Sequence, residues 1–284
     1  MTAIETLLAG LFDYAGLYPP ASLSMLSAAN NYLEYSQGKH AWALGRFIVN
    51  ADRVEELRSI ASESFDQFRL SVIATDGMDR AALGQLQESG ARIDAVEIKC
   101  SGAEDVKRIA ALMPMEITMF FEVSMDAAGL EGLKPIADSS GRAKIRMGGV
   151  VPDAIPPIPG VVQMLKALAG QRLPFKATAG LHHPVRSRRA LTYKEQSLQG
   201  IMHGFMNVAC TAAFLYFGGD VSEAEVLMNE QDPSAWRVSA ETIQWRDRRW
   251  SVEQLKEMRS RFLISIGSCS FEEPIHDLES LGWL

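Results

Sequence analysis

The stretch RFIVNADRVEELRSIASESFDQFRLSVIAT, from Arg46 to Thr75, decides the fold. It opens with a short apolar run, continues through a helical pattern from Ala51, and ends in a second apolar run that starts at Leu70. The two runs begin about 24 residues apart, which is the length of one βα unit. This arrangement predicts two parallel strands joined by a crossover helix.

The same unit recurs along the chain. Short apolar runs that predict strands occupy eight places: Arg46–Asn50, Leu70–Thr75, Asp94–Lys99, Ile117–Val123, Arg142–Met147, Pro174–Ala179, Trp236–Ala240 and Arg261–Ile266. Helical patterns lie between them, and no G-x-G-x-x-G follows the first strand, which disfavours an open dinucleotide-binding sheet. Eight such units predict an α/β fold of the (β/α)8 TIM-barrel type.

The first 45 residues precede the predicted barrel. They contain DYAGLYPPASLS, which includes two prolines, and a predicted helix at Leu23–Tyr35. We interpret residues 1–45 as a helical extension that either caps the barrel or contacts another subunit, so a homo-oligomer is left open. The prediction is a single domain over residues 1–284, with the barrel in residues 46–284.

Composition excludes several classes of function. The chain has 284 residues and a net charge of −7, which gives no support for nucleic-acid binding, since that needs a basic stripe, so we expect no nucleic-acid partner. The three cysteines, Cys100, Cys210 and Cys269, form no C-x-x-C pair, which fits a reducing cytoplasm better than a disulfide scaffold. The N-terminus has no signal-peptide pattern and no stretch of about 18 apolar residues exists, so we expect no membrane partner.

Charged residues occupy one face of four predicted strands. Strand side chains alternate between two faces, and the apolar face suits the helix layer, so the charged face points toward the barrel axis. The charged set comprises Glu97, Lys99, Glu122, Lys144, Arg146 and Lys176. Val, Ile and Leu normally fill a barrel interior, so this set indicates a functional site, with an ion-paired core as the alternative.

Lys176, in the segment FKATAGLHHP, is the first candidate for catalysis. It lies in a core strand near its C-terminal end, where barrel enzymes place their chemistry. Burial and the nearby Lys144 and Arg146 favour a neutral amine that can attack a carbonyl and form a Schiff base. Glu97 and Glu122 favour the competing role, a fixed cation that binds a carboxylate or phosphate.

His182 and His183 follow the same strand in a loop and are candidate acid/base residues. Arg186 adds a cation to this loop. A divalent metal bound by Glu97, Glu122 and one histidine is an alternative, although no spacing here has the specificity of H-E-x-x-H. We therefore predict no cofactor and retain a divalent metal as the alternative.

Two further segments supply candidate substrate-binding residues. His203 and Asn207 are four residues apart and share one face of a predicted helix, within reach of the His182 loop. Ser268 and Ser270 follow the last strand and precede a helix, where backbone N–H groups favour anions.

Five segments, DYAGLYPPA, AKIRMGG, FKATAGLHHPVR, MHGFMNV and GSCSFEEP, resemble motifs of an uncharacterised family of bacterial proteins over nearly the whole chain. A looser similarity links FKATAG to class I aldolases, notably deoxyribose-phosphate aldolase. That resemblance implies a Schiff-base lysine on the sixth barrel strand, which matches Lys176 as the strands are predicted. These aldolases carry a second lysine on the seventh strand, where WRVSA has Arg237.

These observations predict an enzyme that acts on a small anionic, carbonyl-bearing metabolite. The first hypothesis is a lyase of the aldolase type, in which Lys176 is the nucleophile and Glu122 or His182 is the acid/base. Lys144 and Arg146 then bind the anion. The alternatives are a metal-assisted lyase or isomerase and a non-catalytic ligand-binding barrel.

Overall fold

The computed structural model describes residues 1–75, 77–113 and 116–284. Their strands, in chain order, are β1 (Phe12–Tyr14), β2 (Leu44–Asn50), β3 (Leu70–Ile73), β4 (Ile93–Lys99), β5 (Thr118–Val123), β6 (Arg142–Arg146), β7 (Phe175–Thr178), β8 (Ser187–Ala190), β9 (Gln199–Met202), β10 (Trp236–Val238), β11 (Thr242–Trp245), β12 (Arg248–Ser251) and β13 (Leu263–Ser268).

Eight of these strands close a parallel barrel. Strands β1 to β7 follow one another around the ring, and β13 pairs with both β7 and β1 to complete it. Helices alternate with the strands, so the predicted (β/α)8 TIM barrel is confirmed.

The first strand of the barrel differs from the prediction. Phe12–Tyr14 pairs in parallel with both β13 and β2, whereas the predicted seventh strand forms β10 in a separate three-stranded antiparallel sheet. The predicted boundary between a cap in residues 1–45 and a barrel in residues 46–284 is therefore wrong, because β1 belongs to the barrel. A three-residue strand is too short to show a distinctive periodicity, which explains the error.

Strand β1 is held by aromatic contacts on its outer face. Phe12 packs edge-to-face on Phe205 at 5.3 Å between ring centroids, and Tyr14 packs on Tyr35 at 5.5 Å. Because neighbouring side chains alternate, Asp13 points to the barrel interior, where it is fully buried. The short strand thus delivers one carboxylate to the axis.

The helices cover the outside of the barrel. They are α1 (Ala3–Leu8), α2 (Met25–Gln37), α3 (Val54–Ala61), α4 (Arg80–Glu88), α5 (Ala103–Leu112), α6 (Ala127–Asp138), α7 (Ile158–Gly170), α8 (Phe205–Tyr216), α9 (Val221–Met228), α10 (Val252–Arg261) and α11 (Glu272–Ser280). Asp79, Asp126 and Ser251 begin α4, α6 and α10 by accepting backbone N–H groups of the first turn. Within the described part of the chain, no helix combines the length and apolar character needed to cross a membrane.

The longest insertion lies between β7 and β13. It contains the β8–β9 hairpin, helices α8 and α9, the β10–β12 sheet and helix α10. Its first part, residues 179–183, leads directly from the C-terminal end of β7 and brings His182 over the barrel mouth. The insertion therefore supplies part of the wall of the site.

Candidate active site

A cavity of about 380 Å³ opens at the C-terminal end of the barrel strands. Its floor includes Glu97 and Lys144, and Arg146 and Thr178 lie at the ends of neighbouring strands. Tyr18 from the loop after β1 forms part of the wall. Active sites of TIM barrels occupy this face, so the cavity is the candidate active site.

Two lysines and three carboxylates meet beneath the cavity. Lys176 Nζ donates hydrogen bonds of 2.6 Å to Asp13 Oδ2 and to Glu97 Oε1. Lys144 Nζ lies 2.7 Å from Glu97 Oε2 and 2.7 Å from Glu122 Oε2. Glu97 therefore bridges the two ammonium groups. Of the six charged residues predicted to converge at the barrel axis, four do so in this buried network: Glu97, Glu122, Lys144 and Lys176.

Strand register explains why these groups meet. Glu122, Lys144 and Lys176 are direct Cα partners across β5, β6 and β7. Their side chains share the inward face at one level of the barrel. The network thus follows from strand alternation and pairing, without any distortion of the loops.

Serine hydroxyl groups complete the hydrogen bonding of the buried carboxylates. Ser71 donates to Glu97 Oε1 at 2.6 Å, and Ser265 donates to Asp13 Oδ2 at 2.7 Å. The backbone N–H of Arg46 donates to Asp13 Oδ1 at 2.7 Å. Buried ions require such partners. Asp13 and Glu97 Oε1 have them, and Glu97 Oε2 has the ion pair with Lys144.

The network favours charged forms. Burial alone would raise the pKa of Glu97, but Lys144 and Lys176 lower it overall. Burial alone would lower the pKa of Lys144, but Glu97 and Glu122 raise it overall. The resting site therefore holds an ionised Glu97 and a protonated Lys144.

The two lysines differ in their access to the cavity. Lys144 lies on the cavity floor, whereas Lys176 is 0% exposed and sits between Asp13, Glu97 and the ring of Phe120. Lys176 was expected to have cationic neighbours, but the charged groups that it contacts directly are carboxylates. The amine that a cavity-bound molecule would meet first is that of Lys144.

His182 forms part of the cavity wall. Two consecutive residues with positive φ, Ala179 at 65° and Gly180 at 71°, turn the chain back over the barrel after β7. His182 Nδ1 lies 2.9 Å from Glu273 Oε2, and its ring faces the thiol of Cys269. Burial would lower the pKa of His182, but contacts with Cys269 and Glu273 raise it to about 10.

His183 has different surroundings. Its Nδ1 lies 2.7 Å from Asp277 Oδ2, on helix α11. Burial lowers the pKa of His183 overall, despite its contact with Asp277. Its neighbour His182 is the histidine of this pair that lines the cavity.

The predicted substrate-binding residues Arg186, His203 and Asn207 form a cluster with one another. His203 Nδ1 accepts from Arg186 at 2.9 Å, and Nε2 donates to the carbonyl of Pro156 at 2.9 Å. Burial lowers the pKa of His203 to about 4, so the imidazole is neutral. Asn207 accepts from the backbone N–H of Arg186 and donates to two carbonyls, one in the last turn of α9 and one just after it, so these groups hold the insertion together.

The remaining predicted residues lie around the cavity. Lys99, Glu122 and Arg146 line an adjoining groove on the β4–β6 side. Ser268 Oγ donates to the carbonyl of Ser270, and Ser270 Oγ accepts from the N–H of Glu273 at the start of α11. Both serines stabilise the loop that carries Cys269.

Sequence reasoning missed Asp13 and Tyr18. Both lie in DYAGLYPPA, which was assigned to a cap. The alternation in LFDY, with Asp13 between two aromatic residues, is the signal of a strand with an inward carboxylate. Tyr18 lines the cavity and donates to Asn50 Oδ1 at 2.7 Å, a contact that sequence does not reveal.

Metal-binding geometry and comparisons with known proteins add little to these observations. Among the residues that the structure describes, no group of three or more His, Cys, Asp or Glu side chains is arranged to hold a metal ion. No protein-family model matches the chain, and a search of curated proteins returns no match. The functional assignment therefore depends on the geometry of the barrel mouth.

Proposed function

We propose that this barrel is a Schiff-base enzyme of the aldolase type, with Lys144 as the nucleophile and a small anionic carbonyl compound as the substrate. The observation that carries the proposal is the position of Lys144. Its amine lies on the cavity floor between two carboxylates that can take its proton. The nucleophile is thus reassigned from Lys176, whose amine is enclosed by Asp13 and Glu97.

The corrected strand order supports this assignment. Because Phe12–Tyr14 is the first barrel strand, Lys144 lies on the sixth strand and Lys176 on the seventh. The resemblance to deoxyribose-phosphate aldolase implies a Schiff-base lysine on the sixth strand and a second lysine on the seventh. Both strand positions are then occupied by lysine in this chain, and the FKATAG segment that carries the resemblance surrounds Lys176, on the seventh strand.

The reaction requires a neutral amine, and the neighbours of Lys144 can provide one. When a carbonyl compound enters, the ammonium transfers a proton to Glu122, whose Oε2 is 2.7 Å away. The amine adds to the carbonyl carbon, and the resulting carbinolamine loses water to give an iminium ion. Cleavage of the carbon–carbon bond beyond the α-carbon then leaves its electron pair in an enamine, while a base takes the hydroxyl proton of the departing carbonyl fragment.

Lys176 is assigned a positioning role. It donates to Asp13 and Glu97 and so fixes the carboxylate that faces Lys144. Arg146, more than half exposed at the end of β6, is placed to bind the anionic group of the substrate.

A non-catalytic ligand-binding barrel is the second candidate. It is favoured by the raised pKa of Lys144, because an ammonium group held by Glu97 and Glu122 binds anions without forming a covalent bond. The two candidates differ in whether the amine ever becomes covalently attached to the ligand.

Reductive trapping separates them. The protein is incubated with pyruvate and cyanoborohydride, and the intact mass is measured for the native protein, Lys144→Arg and Lys134→Met. Lys144→Arg keeps the cation but forms no Schiff base, while Lys134 is an exposed lysine on α6. We expect one adduct on the native protein and on Lys134→Met, and none on Lys144→Arg.

The opposite results have clear meanings. Saturable pyruvate binding with no adduct on the native protein would favour the ligand-binding candidate. An adduct that persists at full yield in Lys144→Arg would show that Lys144 is not the nucleophile.

A further inference from the structure

A second reactive group lies on the wall of the same cavity. Cys269 follows β13, lines the cavity and is 6% exposed. Its Sγ lies 3.8 Å from both ring nitrogens of His182. The aldolase-type mechanism uses neither the thiol nor this contact.

The histidine is oriented by a carboxylate. His182 Nδ1 is engaged with Glu273 Oε2 at 2.9 Å, so Nε2 is the nitrogen left to exchange a proton with the thiol. Tyr193 donates to the same carboxylate oxygen at 2.9 Å and lies 3.8 Å from Sγ. A nucleophile, a base and a group that orients the base are thus in contact, which is the arrangement of an activated nucleophile.

We propose that Cys269 and His182 form a thiolate–imidazolium pair, oriented by Glu273, that adds to small aldehydes bearing a carboxylate. The cavity offers Arg146 to the carboxylate and Sγ to the aldehyde carbon. This proposal is independent of Schiff-base formation at Lys144.

The step balances without any oxidant. The thiolate Sγ forms a bond to the aldehyde carbon, and the π electron pair of the carbonyl moves to its oxygen. That oxygen takes the proton from His182 Nε2, which leaves a neutral imidazole and a hemithioacetal. The reverse step regenerates the ion pair.

A helix N-terminus and the ring of His182 lie close to Cys269 Sγ. Cys269 is two residues before the N-cap of α11, whose free N–H groups favour a nearby anion. His182 supplies the cation, and its pKa is raised to about 10. The other titratable groups that face the thiol are Tyr193 and Tyr14, with Glu272 and Glu273 behind them.

The other cysteines provide internal controls. Burial raises the pKa of Cys100 to about 12 and raises that of Cys210 further. Cys210 is completely buried on α8. The three thiols of one molecule can therefore be compared in a single experiment.

The first test is the pH dependence of alkylation by iodoacetamide, followed at each cysteine by peptide mass spectrometry. A thiol with the ordinary pKa of about 8.5 loses about 160-fold in alkylation rate between pH 8.5 and pH 6. We expect the Cys269 rate to change by less than about threefold over this range, and Cys100 to react only at alkaline pH. In His182→Gln the alkylation rate of Cys269 at pH 6 should fall at least about tenfold. His276→Gln, which replaces an exposed histidine of α11, should keep the nearly pH-independent rate of the native protein.

The second test uses an aldehyde. At pH 7, glyoxylate should slow alkylation of Cys269 at least about fivefold in both the native protein and Lys144→Arg, and acetate should not. If the alkylation rate of Cys269 in the native protein rises with pH as that of an ordinary thiol does, the proposed thiolate is ruled out. This result does not depend on whether His182→Gln folds. Protection by glyoxylate that disappears in Lys144→Arg, or no protection at all, would overturn the hemithioacetal and leave the proposal for Lys144 unaffected.

Discussion

Lys144 and Lys176 are direct partners on neighbouring strands, yet their amines have different surroundings. Lys176 is enclosed by Asp13 and Glu97, while Lys144 itself lines the open cavity. The difference arises because β1 contributes Asp13 beneath Lys176. A single carboxylate from a three-residue strand thus distinguishes the surroundings of the two amines.

Removal of Lys176 tests this distinction. Lys176→Met leaves two buried carboxylates without a shared counter-charge, and breaking a buried pair costs about 3–5 kcal/mol. Lys134→Met removes an exposed i,i+4 pair with Asp138 and should change the free energy of unfolding by less than about 0.5 kcal/mol. Urea denaturation of both variants measures the difference, and equal stabilities would show that Lys176 is not part of a buried ion-paired network.

At the scale of elements, the sequence predicted seven of the eight barrel strands because apolar runs and helical patterns are local signals. The inward faces of β4 to β7 followed from alternation, which places Glu97, Glu122, Lys144 and Lys176 together. What could not be predicted was which short run closes the ring. Phe12–Tyr14 and Trp236–Val238 have similar patterns, and only their pairing partners, β13 in one case and β11 in the other, distinguish them.

The loop after β7 is the element that positions His182. Gly180 has φ of 71°, and a Cβ added there would lie 3.0 Å from the Cα of Gly148. Gly218 has φ of 94°, but a Cβ there would meet nothing within 4 Å. A residue with a Cβ would therefore be strained by the positive φ at either position. Only at position 180 would its Cβ also lie close to the backbone of Gly148.

We expect Gly180→Ala to lower the free energy of unfolding by about 2–3 kcal/mol and Gly218→Ala by about 1 kcal/mol. Denaturation curves measure this difference. The displaced loop should also slow alkylation of Cys269 at pH 6, because His182 follows Gly180 by two residues. An equal effect of both substitutions would mean that the close approach to Gly148 does not constrain the loop.

At the scale of the whole molecule, the buried network links stability to pH. The folded-state pKa of Glu97 is lowered, so its contribution to stability is fully present above its unfolded pKa of about 4.3. That contribution is lost as the pH falls below this value toward the folded pKa. We therefore expect the protein to lose stability in acid, because Glu97 at the centre of the barrel takes up a proton on unfolding.

We expect the free energy of unfolding to fall more steeply with decreasing pH in the native protein than in Glu97→Gln. One proton taken up on unfolding corresponds to about 1.4 kcal/mol per pH unit, and Glu97→Gln should lack this slope between pH 4 and pH 3. Because the substitution also weakens the network, the slopes of the free energy of unfolding are compared rather than its absolute values. Glu63→Gln, an exposed glutamate, controls for the loss of one surface carboxylate. Equal slopes for the native protein and Glu97→Gln between pH 4 and pH 3 would contradict the lowered pKa of Glu97.

The proposed function requires that the amine of Lys144, on the sixth barrel strand, is the one that bonds to a carbonyl substrate. The most direct measurement is peptide mapping of the native protein after incubation with pyruvate and cyanoborohydride. We expect one modified lysine, Lys144, with Lys176 unmodified on the neighbouring strand. Modification of Lys176 with Lys144 untouched, or labelling of Lys144 no greater than that of the exposed Lys134, would contradict it.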